Sequence, residues 1–217
     1  RTTSGRRSSD IVARHESTVR RHICAEAARI MVEEGVRDYQ LAKRKAIHRL
    51  NLPSDKNLPS NEEIESALAD YLRLFRGQRL DTEVRRLRRL ALEAMRFLER
   101  FNPRLVGAVL SGTVTADAPV QLHVTADTPE AIGLWLQEQD IPYEQTERRV
   151  RFGGERTETL PLYHFTADDV IVELYVFGRE EARETPLSPV DGKPMKRASR
   201  RDVENLLAPV SRPAASE

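Results

Sequence analysis

Glu173 is the acid of this sequence whose setting most suggests chemistry. It interrupts the apolar, strand-length run of residues 170 to 177, so its carboxylate must face solvent or find a partner. On an earlier run, residues 119 to 125, Gln121 and His123 alternate with apolar residues and therefore share one face. If these groups meet in a pocket, His123 could act as an acid, a base or a metal ligand. Plain strand alternation and a sheet-face histidine explain the same residues without chemistry.

Two further acids could complete a catalytic set with Glu173. Asp117 precedes the run that contains Gln121, and Asp169 directly precedes the run that contains Glu173. Carboxylates at such positions could bind a cation, although acids in turns are common. The catalytic candidates, if the chain is active, are Glu173, Asp117 and Asp169.

A short turn follows the first predicted strand of this region. Residues 105 to 110 form an apolar run of strand length, and a polar turn comes next. The sequence Thr128-Pro129-Glu130 predicts a helix start with a hydroxyl cap, and several strand-like runs follow it. This order predicts an α+β fold, a sheet with a helix packed on one face. The candidate ligand-binding residues are Ser111, Gly112, Thr113, Gln121 and His123.

From residue 104 to about residue 178, this order of elements resembles the nucleotidyltransferase superfamily, in the form of a degenerate bacterial member. Members of the superfamily carry a Gly-Ser turn after the first strand, an Asp-x-Asp on the next strand and a third acid on a later one. The resemblance implies a site where such acids hold two magnesium ions, which stabilise charge during phosphoryl transfer.

The resemblance assigns roles to particular residues of this chain. Gly112 and Thr113 fall on the Gly-Ser turn, and Glu173 matches the third acid. Pro119 and Gln121 stand where the paired aspartates belong, and neither replaces a carboxylate as a magnesium ligand. The sequence therefore predicts no metal site and no cofactor, with Mg²⁺ expected only if displaced acids restore the site.

Three functions follow from these residues. The leading hypothesis is a non-catalytic, nucleotidyltransferase-like protein that binds a nucleotide, RNA or DNA, or a protein partner. The alternative is an active magnesium-dependent nucleotidyltransferase that uses Glu173 with Asp117 or Asp169. A third reading is a helical scaffold that forms a homodimer through Leu87, Leu90 and Met95, which share an apolar helix face.

The first part of the chain predicts a helical module of four helices, residues 10 to 102. Gly35 ends the first helix, Asp38 caps the second, and Ser60 with Glu63 forms a capping box before the third. The sheet module occupies residues 103 to 208. Flanking segments 1 to 9 and 209 to 217 are predicted to be a flexible basic tail and a disordered tail.

Charge is distributed unevenly between the modules. Residues 1 to 102 carry 22 basic and 15 acidic residues, and the remainder carries 13 and 19, although the whole chain is only +1. A basic surface for phosphate or a nucleic-acid backbone is therefore predicted, alongside the plainer interpretation of solvated helix faces. Its residues are Lys43, Arg44, Lys45, Lys196, Arg197 and Arg200.

The remaining composition excludes several classes. The single Cys24 cannot form an internal disulfide and fits a reducing compartment. No apolar run approaches the roughly 20 residues that span a bilayer, so the sequence predicts a cytoplasmic protein with no membrane partner. Phosphate-binding loops, dinucleotide-binding glycines and serine hydrolase elbows are absent from the sequence.

Overall fold

The computed structural model describes residues 4 to 53 and 58 to 208. Its fold is α+β, as predicted, with an N-terminal helical region and a five-stranded mixed sheet. Contacts divide the chain into two compact units. The helical unit comprises Arg1–Leu80 with Pro189–Gly192, and the sheet unit comprises Asp81–Ser188 with Lys193–Glu217.

Local capping signals fix where the second and third helices start. Asp38 accepts a hydrogen bond from the amide of Leu41 at 2.6 Å, so the predicted cap is confirmed. The amide of Ser60 donates to Glu63 Oε2 at 2.7 Å, and the Glu63 amide donates to Ser60 Oγ at 3.2 Å, which confirms the predicted capping box. The helices of this region are α1 (Ser4–Glu33), α2 (Tyr39–Arg49) and α3 (Asn61–Phe97).

A break at Gly77 interrupts α3. The sequence predicts separate third and fourth helices, and the structure joins them across Gly77, whose φ of 25° and ψ of −112° are not helical. Beyond the break, Arg88 donates hydrogen bonds to the carbonyl oxygens of Val109 at 3.1 Å and Leu110 at 2.9 Å. These bonds connect the last part of α3 to residues of the sheet unit. The sheet unit begins at Asp81, whereas the change of sequence pattern lies near residues 102 and 103.

The predicted tails fall partly outside the described residues. Helix α1 begins at Ser4, so residues 4 to 9 of the predicted flexible tail belong to that helix. Residues 1 to 3 and the predicted tail at 209 to 217 lie outside the described residues. Within the described ranges, no helix combines the length and the apolar character that crossing a bilayer requires.

The sheet has five strands, β1 (Arg104–Val106), β2 (Val120–Thr125), β3 (Glu144–Arg151), β4 (Thr157–Ala167) and β5 (Val170–Phe177). Their order in the sheet is β1-β2-β5-β4-β3. Strands β2 and β5 are parallel neighbours although β3 and β4 separate them in sequence, and the other neighbouring pairs are antiparallel. The strand from residue 170 to 177 is confirmed at both ends.

The first strand is shorter than predicted. The sequence predicts one strand over residues 105 to 110, but β1 ends at Val106 and a short helix, α4 (Gly107–Ser111), follows it. Gly107 has a φ of 71°, a left-handed conformation outside the range of regular strand backbone. Gly112, with φ 85°, then ends α4, and its amide donates to the carbonyl oxygen of Ala108 at 2.8 Å.

Two further helices belong to the sheet unit. Helix α5 (Glu130–Glu138) begins where predicted, but the Thr128 hydroxyl makes no cap bond; the Thr128 carbonyl instead accepts from the amide of Ala131 at 3.2 Å. Helix α6 (Arg200–Leu207) is capped by Ser199, which forms a capping box with Asp202.

The two faces of the sheet differ in chemistry. On one face, the buried side chains of Leu122, Leu174 and Tyr163 lie in register, and the Tyr163 hydroxyl donates to the carbonyl oxygen of Pro129 at the start of α5. The opposite face carries the polar residues of β2 and β5. Burial of the apolar face therefore stabilises the sheet, and the candidate site lies on the opposite face.

Candidate functional site

The centre of the candidate site is a hydrogen-bonded group of three side chains. Parallel pairing of β2 with β5 puts Gln121 directly opposite Glu173. Gln121 Nε2 donates to Glu173 Oε2 at 2.8 Å, and the Tyr175 hydroxyl lies 3.3 Å from the same oxygen. Gln121 Nε2 also lies 3.2 Å from the Tyr175 hydroxyl. Gln121, Glu173 and Tyr175 are all partly buried, and we call them the Glu173 cluster.

Gly107 makes room for this cluster. A Cβ atom on Gly107 would lie 2.1 Å from Gln121 Oε1, which is far inside van der Waals contact. The residue also has the left-handed backbone conformation that glycine adopts without strain. Gly107, which directly follows β1, is thus the glycine that lies against the polar face of the sheet.

His123 lies on the same face and is almost fully buried, with 4% of its surface exposed. Its ring packs against the rings of Phe177 and Tyr175, at centroid distances of 4.7 and 5.6 Å. Among the described residues, nothing bonds to its Nδ1 atom. Burial, with a smaller contribution from the Arg197 charge, lowers the pKa of His123 to about 3. The imidazole is therefore neutral near pH 7 and packs as a sheet-face histidine.

The predicted turn residues lie at the far end of α4. The Ser111 hydroxyl donates to the carbonyl oxygen of Ala108 at 3.2 Å and lies 2.7 Å from Thr113 Oγ1. A Cβ atom on Gly112 would lie 3.8 Å from Nη2 of Arg88. The predicted placement of Gly112 and Thr113 directly after the first strand is wrong, because Gly107 occupies that position and α4 comes between.

The displaced acids lie in exposed loops. Asp117 is exposed before β2, and Asp169 is exposed in the turn that joins β4 to β5, with φ 61°. Asp168 and Asp169 both act electrostatically on Arg86. Within residues 4 to 53 and 58 to 208, no three His, Cys, Asp or Glu side chains converge in a way that could hold a metal ion.

The predicted basic surface on α2 is only partly exposed. Arg44 is exposed, but Lys45 pairs with Glu34 at 2.6 Å. Arg49, beside them, also pairs with Glu34, at 2.5 Å. The prediction that Lys43 belongs to a basic surface is wrong, because this residue lies on the core-facing side of α2 and is only 6% exposed. Ion pairing and burial therefore neutralise most of this surface.

Lys43→Met is expected to leave the stability of the helical unit unchanged or raise it by about 1 kcal/mol. No described acid forms an ion pair with the Lys43 ammonium. Burial lowers the pKa of this amine more than the nearby Glu63 charge raises it, so charge at this position opposes folding. Urea denaturation would measure the change. The matched control Lys45→Met removes an ion pair and should cost less than about 1 kcal/mol. A loss of more than about 1 kcal/mol in Lys43→Met would contradict this account.

The predicted basic residues near α6 differ in their exposure and in their partners. Lys196 is exposed. Arg197 turns inward, where it donates to Thr185 and to the carbonyl oxygen of Ala182. Arg200 pairs with Glu99 at 2.8 Å and lines a groove at the start of α6. Arg201, which follows Arg200 in the same basic run, lines this groove as well, together with Arg104.

The predicted dimerisation face is not available for a partner. Leu87, Leu90 and Met95 are each less than 10% exposed within the chain itself. They belong to the core of the sheet unit, so the helical-scaffold hypothesis loses the surface on which it depended.

Two residues of the site, Tyr175 and Gly107, are not among the predicted site residues, although the sequence contains a signal for each. Tyr175 lies two residues after Glu173, so strand alternation puts it on the same face. Gly107 lies inside an apolar run, where an isolated glycine is typical of a bend or a close backbone approach.

Comparisons with protein-family models, with curated proteins and with solved structures found no match to this chain.

Proposed function

We propose that the sheet unit is a non-catalytic nucleotide-binding module, of the degenerate nucleotidyltransferase-like kind, whose ligand lies over the Glu173 cluster. The observation that carries the proposal is the hydrogen bond of 2.8 Å from Gln121 Nε2 to Glu173 Oε2. An amide hydrogen aimed at a carboxylate occupies a direction from which a cation would approach. This contact favours ligand recognition at Glu173 over the holding of magnesium.

The chemistry of the cluster suits a polar organic ligand. A carboxylate, an amide and a phenol supply acceptors and donors, and the Tyr175 ring adds an apolar surface. Sites of this kind hold a ligand by a few convergent polar groups against an apolar wall.

A free nucleotide fits better than a nucleic acid because the predicted basic surface is largely paired. Lys45 and Arg49 both bond to Glu34, and Arg200 bonds to Glu99. Non-specific binding to a nucleic-acid backbone depends on cations that are free to neutralise phosphates. A protein partner has no comparable supporting contact at the cluster.

Titration of the full chain with nucleoside mono- and triphosphates, with and without Mg²⁺, tests the proposal. We expect binding that does not require Mg²⁺ and no release of pyrophosphate. Glu173→Gln should weaken binding about tenfold, since a hydrogen bond to a charged group is worth roughly 1.5 to 3 kcal/mol. Arg149→Ala, an exposed change on β3, serves as the control and should have no effect.

Gln121→Asp extends the test. Two adjacent carboxylates would repel each other unless a cation lies between them, so this variant should acquire a stabilising response to Mg²⁺ that the natural sequence lacks. Nucleotidyl transfer by the unaltered chain that disappears in Glu173→Gln would overturn the proposal in favour of an active enzyme. Absence of nucleotide binding would overturn it as well.

A further inference from the structure

The sheet has an open edge at β3. This strand is the last in the order β1-β2-β5-β4-β3, so β4 borders it on one side and, among the described residues, no strand borders it on the other. Its eight residues pair with β4 in one unbroken register, and residues 144 to 149 are all exposed. An edge strand of this length and regularity presents a row of backbone donors and acceptors with which another strand can pair.

Odd-numbered residues of β3 turn their backbone groups toward this open edge. The amide of Phe152, directly after β3, donates to the carbonyl oxygen of Arg156 on the β4 side at 2.7 Å. Because backbone groups alternate in direction along a strand, even-numbered positions face β4 and odd-numbered positions face outward. The outward carbonyl oxygen of Arg151 accepts from the amide of Leu187 at 2.6 Å, which closes that end of the edge. The positions that remain open in the described part of the chain are Gln145, Glu147 and Arg149.

The side chains of β3 complement a second copy of the same strand. In a two-fold antiparallel pair, the residue on the axis lies opposite itself, and the flanking residues pair across it. With Thr146 on the axis, Glu144 of each copy lies opposite Arg148 of the other. Gln145 likewise lies opposite Glu147, and an amide can donate to a carboxylate. Every charged residue from 144 to 148 therefore meets a complementary group.

Charge also excludes the neighbouring registers. Charged residues usually protect an edge strand from pairing, because they meet unsuitable groups on the incoming strand. An axis at Glu147 or at Arg148 would have this effect here, since that residue would lie opposite its own copy. Glu144 and Arg148 have no ion pair among residues 4 to 53 and 58 to 208, so both charges are available to a second copy.

We propose that β3 is a dimer interface, at which a second copy of this chain extends the sheet with the two-fold axis at Thr146. The backbone groups of Gln145 in each copy exchange hydrogen bonds with those of Glu147 in the other. The Glu144 carboxylate of each copy pairs with the Arg148 guanidinium of the other. This interface does not depend on the proposed nucleotide-binding function.

The joined sheet presents both candidate sites on one side. Glu144 lies opposite His164, and His164 lies opposite Glu173, so these side chains share one face. The two-fold axis of an antiparallel strand pair is perpendicular to the sheet and keeps each face on its own side. Both Glu173 clusters therefore lie on the same face of the dimer.

Sedimentation equilibrium of the full chain tests the association. A single strand pair buries less surface than a stable interface, so we expect a weak dimer that forms as the concentration rises. Glu144→Arg and Arg148→Glu should each weaken dimerisation about tenfold, because each change turns both ion pairs into like-charge pairs. An equimolar mixture of the two variants should dimerise as well as the unaltered chain, since the pairs form again between unlike chains. The control Arg89→Glu, an exposed change on α3, should have no effect.

Disulfide crosslinking tests the register. The two Thr146 residues lie directly opposite each other, in a pair whose Cα atoms are about 4.5 Å apart, so Thr146→Cys should crosslink under mild oxidation. Arg149→Cys should not crosslink, because six residues of rise separate its two copies by about 20 Å. The unaltered chain should give no crosslink, since its single cysteine, Cys24, is buried.

Three contrary results would each overturn the proposal. The first is a chain that stays monomeric as the concentration rises, with no crosslink in Thr146→Cys. The second is a dimer that neither charge reversal weakens, because its contact would then lie on another surface. The third is a monomeric chain whose β3 edge binds an extended peptide of another protein, which would replace the second copy as the occupant.

Discussion

Replacing Gly107 with alanine is expected to destabilise the sheet unit by about 2 to 3 kcal/mol and to abolish ligand binding at the Glu173 cluster. Two costs combine. The left-handed backbone, with φ 71°, disfavours any side chain by about 1 to 2 kcal/mol. The new Cβ would also lie 2.1 Å from Gln121 Oε1, so the amide that bonds to Glu173 must move.

A matched glycine separates the two costs of this change. Gly154 has a similar φ of 65°, but no atom lies within 4 Å of the Cβ position. Gly154→Ala should therefore show the backbone cost alone, about 1 to 2 kcal/mol. Trp135, the single tryptophan, belongs to the sheet unit, so its fluorescence during urea unfolding reports both variants there.

A second variant tests whether overlap with the Gln121 side chain causes part of the lost stability. Adding Gln121→Ala to Gly107→Ala removes the overlapping atoms and should recover part of the lost stability, a coupling that a double-mutant cycle measures. Equal losses in Gly107→Ala and Gly154→Ala, with no recovery in the double variant, would contradict a close contact between Gly107 and Gln121.

Lowering the pH from about 6.5 to 5 is expected to remove about 2 kcal/mol from the stability of the sheet unit through His123. Burial holds the pKa of His123 at about 3, below the usual 6.5, so the unfolded chain binds a proton that the folded chain does not. The stabilisation from neutral His123 is therefore complete above pH 6.5. It declines by about 1.4 kcal/mol per pH unit as the pH falls toward 3.

The groups around His123 explain why it resists protonation. The rings of Phe177 and Tyr175 exclude water, and Arg197, itself partly buried, opposes a second positive charge. Arg104 is paired opposite His123 on β1 and adds a further cation to this face. Glu173 lies two residues before Tyr175 on β5 and is the acid on this face of the sheet that is nearest in register.

His123→Phe provides the test, because it keeps an aromatic ring at the site and removes the titrating group. Unfolding free energies of this variant should be nearly independent of pH between 6.5 and 5. The exposed His22 lies in the helical unit, and His22→Gln should keep the pH dependence of the natural sequence. A pH slope in His123→Phe as steep as in the unaltered chain would show that another group is responsible.

Local sequence determined most of the secondary structure of this protein. Asp38, Ser60 with Glu63, and Ser199 each satisfy backbone amides within three residues, so their caps are readable without a fold. The same holds for the run from residue 170 to 177 and for the shared face of Gln121 and His123, which follow from strand alternation.

Tertiary structure alone decided which polar groups meet and which charges are lost from the surface. The contact between Gln121 and Glu173 depends on parallel pairing across 52 positions of sequence, and no local signal fixes that register. Lys43 shares its helix with exposed Arg44, yet packing of neighbouring elements buries one and leaves the other in solvent. Pairing and burial depend on what the rest of the chain brings alongside, because they are properties of two surfaces and not of one segment.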